Sequence, residues 1–387
     1  MNKIRMFLVL LLLSVCFLSS CNTSKNIHFE CPNIETDLSG LKSNGSLVLD
    51  GDGTYLMDMD WLTKTEINKS GKNLFYFSFS PDRKWIVYLT SGIEDDFVME
   101  VMGEHQVIKT IPWEDDWAYV NWLNEEQLII PLIQQDRRSD VSNFLVLNSF
   151  TDERYILSAD YPDMLYDEPW RIIEYSPLID SVVYLQGGVS GPFYYTLWDI
   201  QSETAIVQLD ANGDLHTFPR WSSDGSQFAV ALSLSLKKGD FPSYEIFKVL
   251  REGKITQLTH LSDYYPWVYV GDLSWSPNNR YISFWYSHWS EADNPYFSTP
   301  GDLYLGILDA QTGSITSYCI RGELNAGLGS GIYSAPLWSP DGRQIVFRSQ
   351  IGEDYMFDSQ TILLDIQKNR AYLIAEAMEP VGWLNSP

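Results

Sequence analysis

One phrase recurs along most of this chain: an apolar or aromatic run ending in Trp, Phe or Tyr, then a tight polar turn, then a strand-like segment. The clearest copies are FSFSPDRKWIVY at 77–88, PRWSSDGSQFAV at 219–230, LSWSPNNRYISF at 273–284 and PLWSPDGRQIVF at 336–347. Weaker copies are VNWLNEEQLIIP at 120–131 and IEYSPLIDSVVY at 173–184, and the chain closes on VGWLNSP. The aromatic heading each turn is Phe79, Trp122, Tyr175, Trp221, Trp275, Trp338 or Trp383, so the spacing runs from 43 to 63 residues. Units of this size cannot bury an apolar face alone and must pack on their neighbours. Solenoid units are usually shorter and helical, and these are neither.

Each unit parses into four strands; in the last complete one they are 335–339, 344–349, 361–366 and 370–376. Pro340-Asp341-Gly342 supplies the fixed φ, the backbone-bonding side chain and the positive φ that a tight turn needs. The ends are complementary. Trp383 belongs to a first strand with nothing after it, whereas 46–49, 54–58 and 65–68 are three strands with no first strand before them. Joining the two remnants makes one blade and hides two sheet edges that would otherwise invite aggregation. The expected fold is therefore an all-β, seven-bladed β-propeller over 46–387, closed by pairing the C-terminal strand with the N-terminal split blade. Six blades follow if the copy at Trp122 or at Tyr175 is not a blade.

Charge narrows the partners. With 26 Lys and Arg against 51 Asp and Glu, the net charge is −25. Binding nucleic acid requires a dense basic surface to neutralise phosphates, so DNA and RNA are excluded as partners. An anionic membrane would likewise repel such a chain, so membrane attachment needs something other than electrostatics.

The first residues supply it. Lys3 and Arg5 precede an apolar run from Met6 to Leu18, followed by Ser19, Ser20 and Cys21, which describes a secretory signal. The run spans roughly 20 Å as a helix, short of a bilayer core of roughly 30 Å. Leu18-Ser19-Ser20-Cys21 resembles the bacterial lipobox, which implies cleavage after residue 20, a lipid on Cys21, and an envelope protein anchored on the extracytoplasmic side of a bacterial membrane. Residues 21–45, rich in Asn, Ser and Thr, read as the lipidated Cys and a flexible tether. Outside the cytoplasm Cys31 and Cys319 can pair or stay as two separate thiols. Neither the cysteines nor the five His show a metal-ligand spacing, and no cofactor is implied.

The Trp-Ser-Pro-Asp-Gly turn, fullest at Trp338 to Gly342, resembles the WD-like propeller repeat of TolB and of dipeptidyl-peptidase and oligopeptidase propeller domains. The resemblance covers the chain from about residue 46 onward and speaks for architecture, while function lies in sites grafted on it. The N-terminal α/β domain expected of TolB is missing, and no hydrolase domain follows the repeats.

Catalytic motifs are absent or broken. Gly188-Val189-Ser190-Gly191-Pro192 lacks the last Gly of a nucleophile elbow, and Ser330 follows Leu328 where that motif needs Gly. Asp50 to Gly53 and Asp210 to Asp214 look like calcium loops but lack the downstream Glu. The connections are more informative. Turns joining first to second and third to fourth strands are short; the other kind, on the opposite face, are long and suited to binding. They carry Tyr194, Tyr264, Tyr265, Trp267, Trp289, Tyr296 and Tyr333 among Asp263, Glu291 and Asp293. Aromatic faces beside carboxylates suit a glycan, a cation or a basic or aromatic protein segment. The leading expectation is a non-enzymatic binding module for a protein or glycan. A carbohydrate-active or other hydrolytic propeller is the alternative, requiring two or three clustered carboxylates, and a scaffold subunit of an envelope complex is a third.

Overall fold

The computed structural model describes residues 27–385 apart from 68–73, 92–96, 104–105, 115–116, 118–119, 133–140, 161–171, 179–180, 187–193, 200, 203, 211–217, 235–242, 290–302, 322–334 and 351–358. Alternating strands build seven antiparallel sheets in a ring. Blade 1 joins Glu379–Leu384 to Ser46–Asp50, Thr54–Asp58 and Thr63–Glu66. Blade 2 is Leu74–Phe79, Ile86–Ser91, Phe97–Met102 and Val107–Pro112; blade 3 is Asn121–Trp122, Gln127–Pro131, Val141–Asn148 and Arg154–Asp160. Blade 4 is Ile172–Tyr175, Ser181–Gln186, Tyr194–Asp199 and Thr204–Asp210; blade 5 is Arg220–Trp221, Gln227–Ser233, Tyr244–Leu250 and Ile255–Gln257. Blade 6 is Trp267–Trp275, Tyr281–Trp289, Tyr304–Asp309 and Ile315–Arg321; blade 7 is Leu337–Trp338, Gln344–Gln350, Ser359–Asp365 and Arg370–Glu376. The weak copies at Trp122 and Tyr175 each head a full sheet, so the ring has seven blades and not six.

Seven apolar clusters hold the ring, one at each seam between neighbouring blades. They follow from the two-residue period of a strand, which sends successive side chains to opposite faces. In blade 6, Ile282, Phe284 and Tyr286 pack toward blade 5, while Trp285 packs toward blade 7. The seam of blades 1 and 2 depends on Gly382, where a Cβ would lie 2.2 Å from the Phe79 ring.

The recurring turn is a hydrogen-bonded unit. In blade 7 the Ser339 hydroxyl donates to Asp341 (2.7 Å) and accepts from the Gln344 amide (3.0 Å), while Asp341 accepts from the Arg343 amide (3.1 Å). Ser80 with Asp82, Ser222 with Asp224 and Ser276 with Asn278 repeat the hydroxyl bond at 2.7 Å. The marker indoles then link blade to blade. Trp122, Trp275, Trp338 and Trp383 each donate Nε1 to the carbonyl just before the preceding blade's marker, on Ser78, Arg220, Ser274 and Leu337. The indole N–H of Trp221 is buried without a partner among the described residues.

Residues 27–45 correct the expectation of a free tether. Ile27–Glu30 adds in parallel to the outer strand of blade 6, and Ile34–Glu35 does the same on blade 7. Cys31 and Cys319 are joined by a disulfide, with Cα atoms 4.8 Å apart. Leu41 is buried in the seam of blades 7 and 1, and its neighbour Lys42 accepts a bond from the Gln344 side chain (2.8 Å). Unpaired outer strands offer backbone donors and acceptors, and a polar segment with the right φ satisfies them whatever its composition. Residues 1–26, which include the expected leader and Cys21, lie outside the described residues.

Candidate functional site

Aromatic side chains concentrate at the long-connection end of blades 5 and 6. The chain leaves blade 5 through a short 3-10 turn, Leu261–Asp263, and enters blade 6 at Trp267. Tyr265 stacks on His288 with centroids 4.0 Å apart and planes at 11°, and His288 stacks in turn near Tyr304 at 5.9 Å and 9°. Tyr286 lies beneath, fully buried, 6.3 Å from Tyr265 and 5.7 Å from Tyr304, with its hydroxyl 2.6 Å from the Ser317 hydroxyl. Tyr264, 47% exposed, stands outside this stack 6.5 Å from Tyr265. Burial raises the Tyr265 phenol above its usual range, so Tyr265 stays a neutral donor at physiological pH.

A buried carboxylate fixes the turn. Glu245, in the third strand of blade 5, is fully buried and accepts four hydrogen bonds: from the Thr259 hydroxyl (2.6 Å), the Leu261 amide (2.8 Å), and the Ser262 amide and hydroxyl (both 2.8 Å). Charge-assisted bonds to an acceptor without solvent are the strong kind. They clamp the backbone that carries Asp263, Tyr264 and Tyr265.

Of the expected binding residues, the structure gathers Asp263, Tyr264, Tyr265 and Trp267 on one connection, and Trp267 pairs across the sheet with Trp289. Tyr194 is elsewhere: it begins the third strand of blade 4, with blade 5 between it and the cluster. Glu291, Asp293, Tyr296 and Tyr333 lie outside the described residues. Sequence reading missed Glu245, His288, Tyr286 and Tyr304. Glu245 reads as one acid in an apolar strand, and only its burial reveals its role.

Two further carboxylates are perturbed. Burial pushes Glu174 up to about 7, despite the Arg220 guanidinium at 3.7 Å and the Trp221 amide at 3.1 Å. Burial also raises Asp50, which accepts from Thr54 (2.7 Å) and sits opposite Glu379, itself bonded to Arg348 (2.8 Å). Each is held by a structural partner at a seam or strand end. Among the described residues no group of three or more His, Cys, Asp and Glu could hold a metal ion.

No known family profile matches the chain, and no curated protein matches it. Solved structures do. TolB from Acinetobacter baumannii is 13% identical, with a TM-score of 0.43 over 90% of this chain and 69% of that one. The β-propeller domain of the Trilobed protease from Pyrococcus furiosus is 11% identical (TM-score 0.44; 76% and 83% of the two chains). The Cps50 (Swd1) propeller domain from Myceliophteria thermophila is 12% identical (TM-score 0.45; 91% and 98%). No ligand or partner is carried over from them.

Proposed function

We propose that this chain is a lipid-anchored, extracytoplasmic propeller, attached through Cys21, that captures a protein partner through the long-connection end of blades 5 and 6. The observation that carries the reading is the stack of Tyr265, His288 and Tyr304, held by the buried Glu245 clamp, with Tyr264 exposed beside it. A rigid aromatic platform gives contact area at little entropic cost, and Tyr is a favoured interface anchor. The charge setting supports a basic segment as the occupant. Long connections hold seven Lys and Arg against twenty-two Asp and Glu, so a cation over the rings gains from both π-faces and field. Binding is the whole of this role; no catalytic step is assigned.

Capture from solubilised envelopes tests it. The wild-type protein retains a partner whose yield falls as salt rises, and Tyr264→Ala with Tyr265→Ala reduces that yield at least tenfold. A yield indifferent to both changes contradicts the reading. Retention of oligosaccharides without salt dependence would assign the platform to a glycan instead.

A further inference from the structure

The entry point of the chain fixes which face meets the membrane. Ile27 pairs with Ile315, the first residue of its strand, directly after the short turn 310–314. The polypeptide before Ile27 therefore leaves blade 6 at the short-turn end of the ring. With Cys31 bonded to Cys319, this exit cannot drift. Six residue steps separate Cys21 from Ile27, which at full extension reach roughly 20 Å.

Charge is divided in the same sense. Short connections, with residues 42–45, hold eight Lys and Arg against twelve Asp and Glu, near balance; the long ones carry most of the excess acid. Apolar side chains stand exposed on the short turns: Trp61 at 79%, Leu178 at 51% and Phe150 at 43%. Trp at such a position suits a lipid headgroup layer, which accepts its amphipathic ring.

We propose that the short-turn face of the ring lies against the lipid surface and the aromatic, acidic face points away from it. This rests on the lipid at Cys21. Blade strands are about 17–20 Å long, so the acidic connections stand roughly two Debye lengths from anionic headgroups at physiological salt, where their repulsion is largely screened. The opposite orientation would press them onto the membrane and would need a longer tether.

Amine labelling of the full-length lipoprotein tests this, in phosphatidylglycerol and phosphatidylethanolamine vesicles against detergent micelles, with a bulky water-soluble reagent read by mass spectrometry. Lys84, Lys254 and Lys368 lie on short connections; Lys69, Lys72, Lys237 and Lys238 lie on long ones. The expected result is labelling at least threefold slower in vesicles at the first three, with the other four unchanged. Equal rates at both sets, or protection confined to the second, overturns the orientation. Flotation reports on the anchor separately. If the native protein does not float, the lipid reading fails; coupling Cys21 to a maleimide headgroup lipid then supplies an anchor at the same residue, and the same labelling still decides the orientation.

Discussion

The two ends of the ring are made from the same strands and differ in how their connections are built. At the short-turn end, one hydrogen-bonded unit of Ser with Asp or Asn is repeated in blades 2, 5, 6 and 7, and two neighbours touch: the Ser223 hydroxyl and amide of blade 5 both donate to Asn279 of blade 6 (2.9 and 3.0 Å). At the other end the connections share no repeated sequence, and the one between blades 5 and 6 is held by a single buried carboxylate. Repetition makes the first end a source of stability, while irregularity leaves the second free to carry a specific surface.

The largest test of this contrast is Trp338→Ala. It empties a site that is 6% exposed in the seam of blades 6 and 7 and removes the bond to Ser274, so about 3–5 kcal/mol of stability should go. Urea unfolding reads the loss, and partner capture by the folded fraction should be unchanged. Next is Cys31→Ser with Cys319→Ser. Freeing a bridge across a sequence separation of 288 should cost about 2–5 kcal/mol and expose the amides of Ile315–Arg321 to hydrogen exchange.

Glu245→Gln probes the other end. The amide keeps one acceptor oxygen for four donors, so some buried donors lose their partner, at about 1–3 kcal/mol. Here capture should fall together with the local order of residues 259–265. A loss of stability with capture intact would break the link between clamp and platform.

The pH profile distinguishes two kinds of carboxylate within the short-turn end, where Glu174, Asp82 and Asp224 all lie. Glu174 keeps its proton up to about 7 in the fold, because of burial, against an ordinary glutamate value of 4.5. The folded state thus binds more protons between these values, so this contribution is full below about 4.5 and is lost as pH rises through about 7, at most about 3 kcal/mol. Glu174→Gln should flatten that slope. Asp82 and Asp224 behave oppositely: burial opposes ionisation, but bonds from Ser80 and Lys84, and from Ser222 and Ser226, hold both below the usual range. Their contribution is present above about 4 and lost as pH falls further.

The repeated end was legible in the sequence because its information is local. A marker aromatic and a Ser-Pro-Asp-Gly turn lie within five residues, and the strands Thr54–Asp58 and Arg370–Glu376 fall where the alternation puts them. The docked segment 27–45 was not legible, since its partners lie in blades 6 and 7, hundreds of residues away, and its polar composition suits a linker equally well. The aromatic connection was half legible. Tyr264, Tyr265 and Trp267 are contiguous enough to notice, whereas His288 and Tyr304 join them only through the packing of three strands. Burial separates the markers as well: Trp221, Trp275, Trp338 and Trp383 are core, while Phe79, Trp122 and Tyr175 are half-buried.

The most direct measurement replaces single residues with a photo-crosslinking phenylalanine at Tyr264 and, in a second protein, at Leu178 on the opposite face, both about half exposed. Irradiation in intact envelopes should give a discrete protein adduct from position 264, weakened by Glu245→Gln, and none from 178. A protein adduct from 178 with none from 264 would contradict the assignment of binding to the aromatic face.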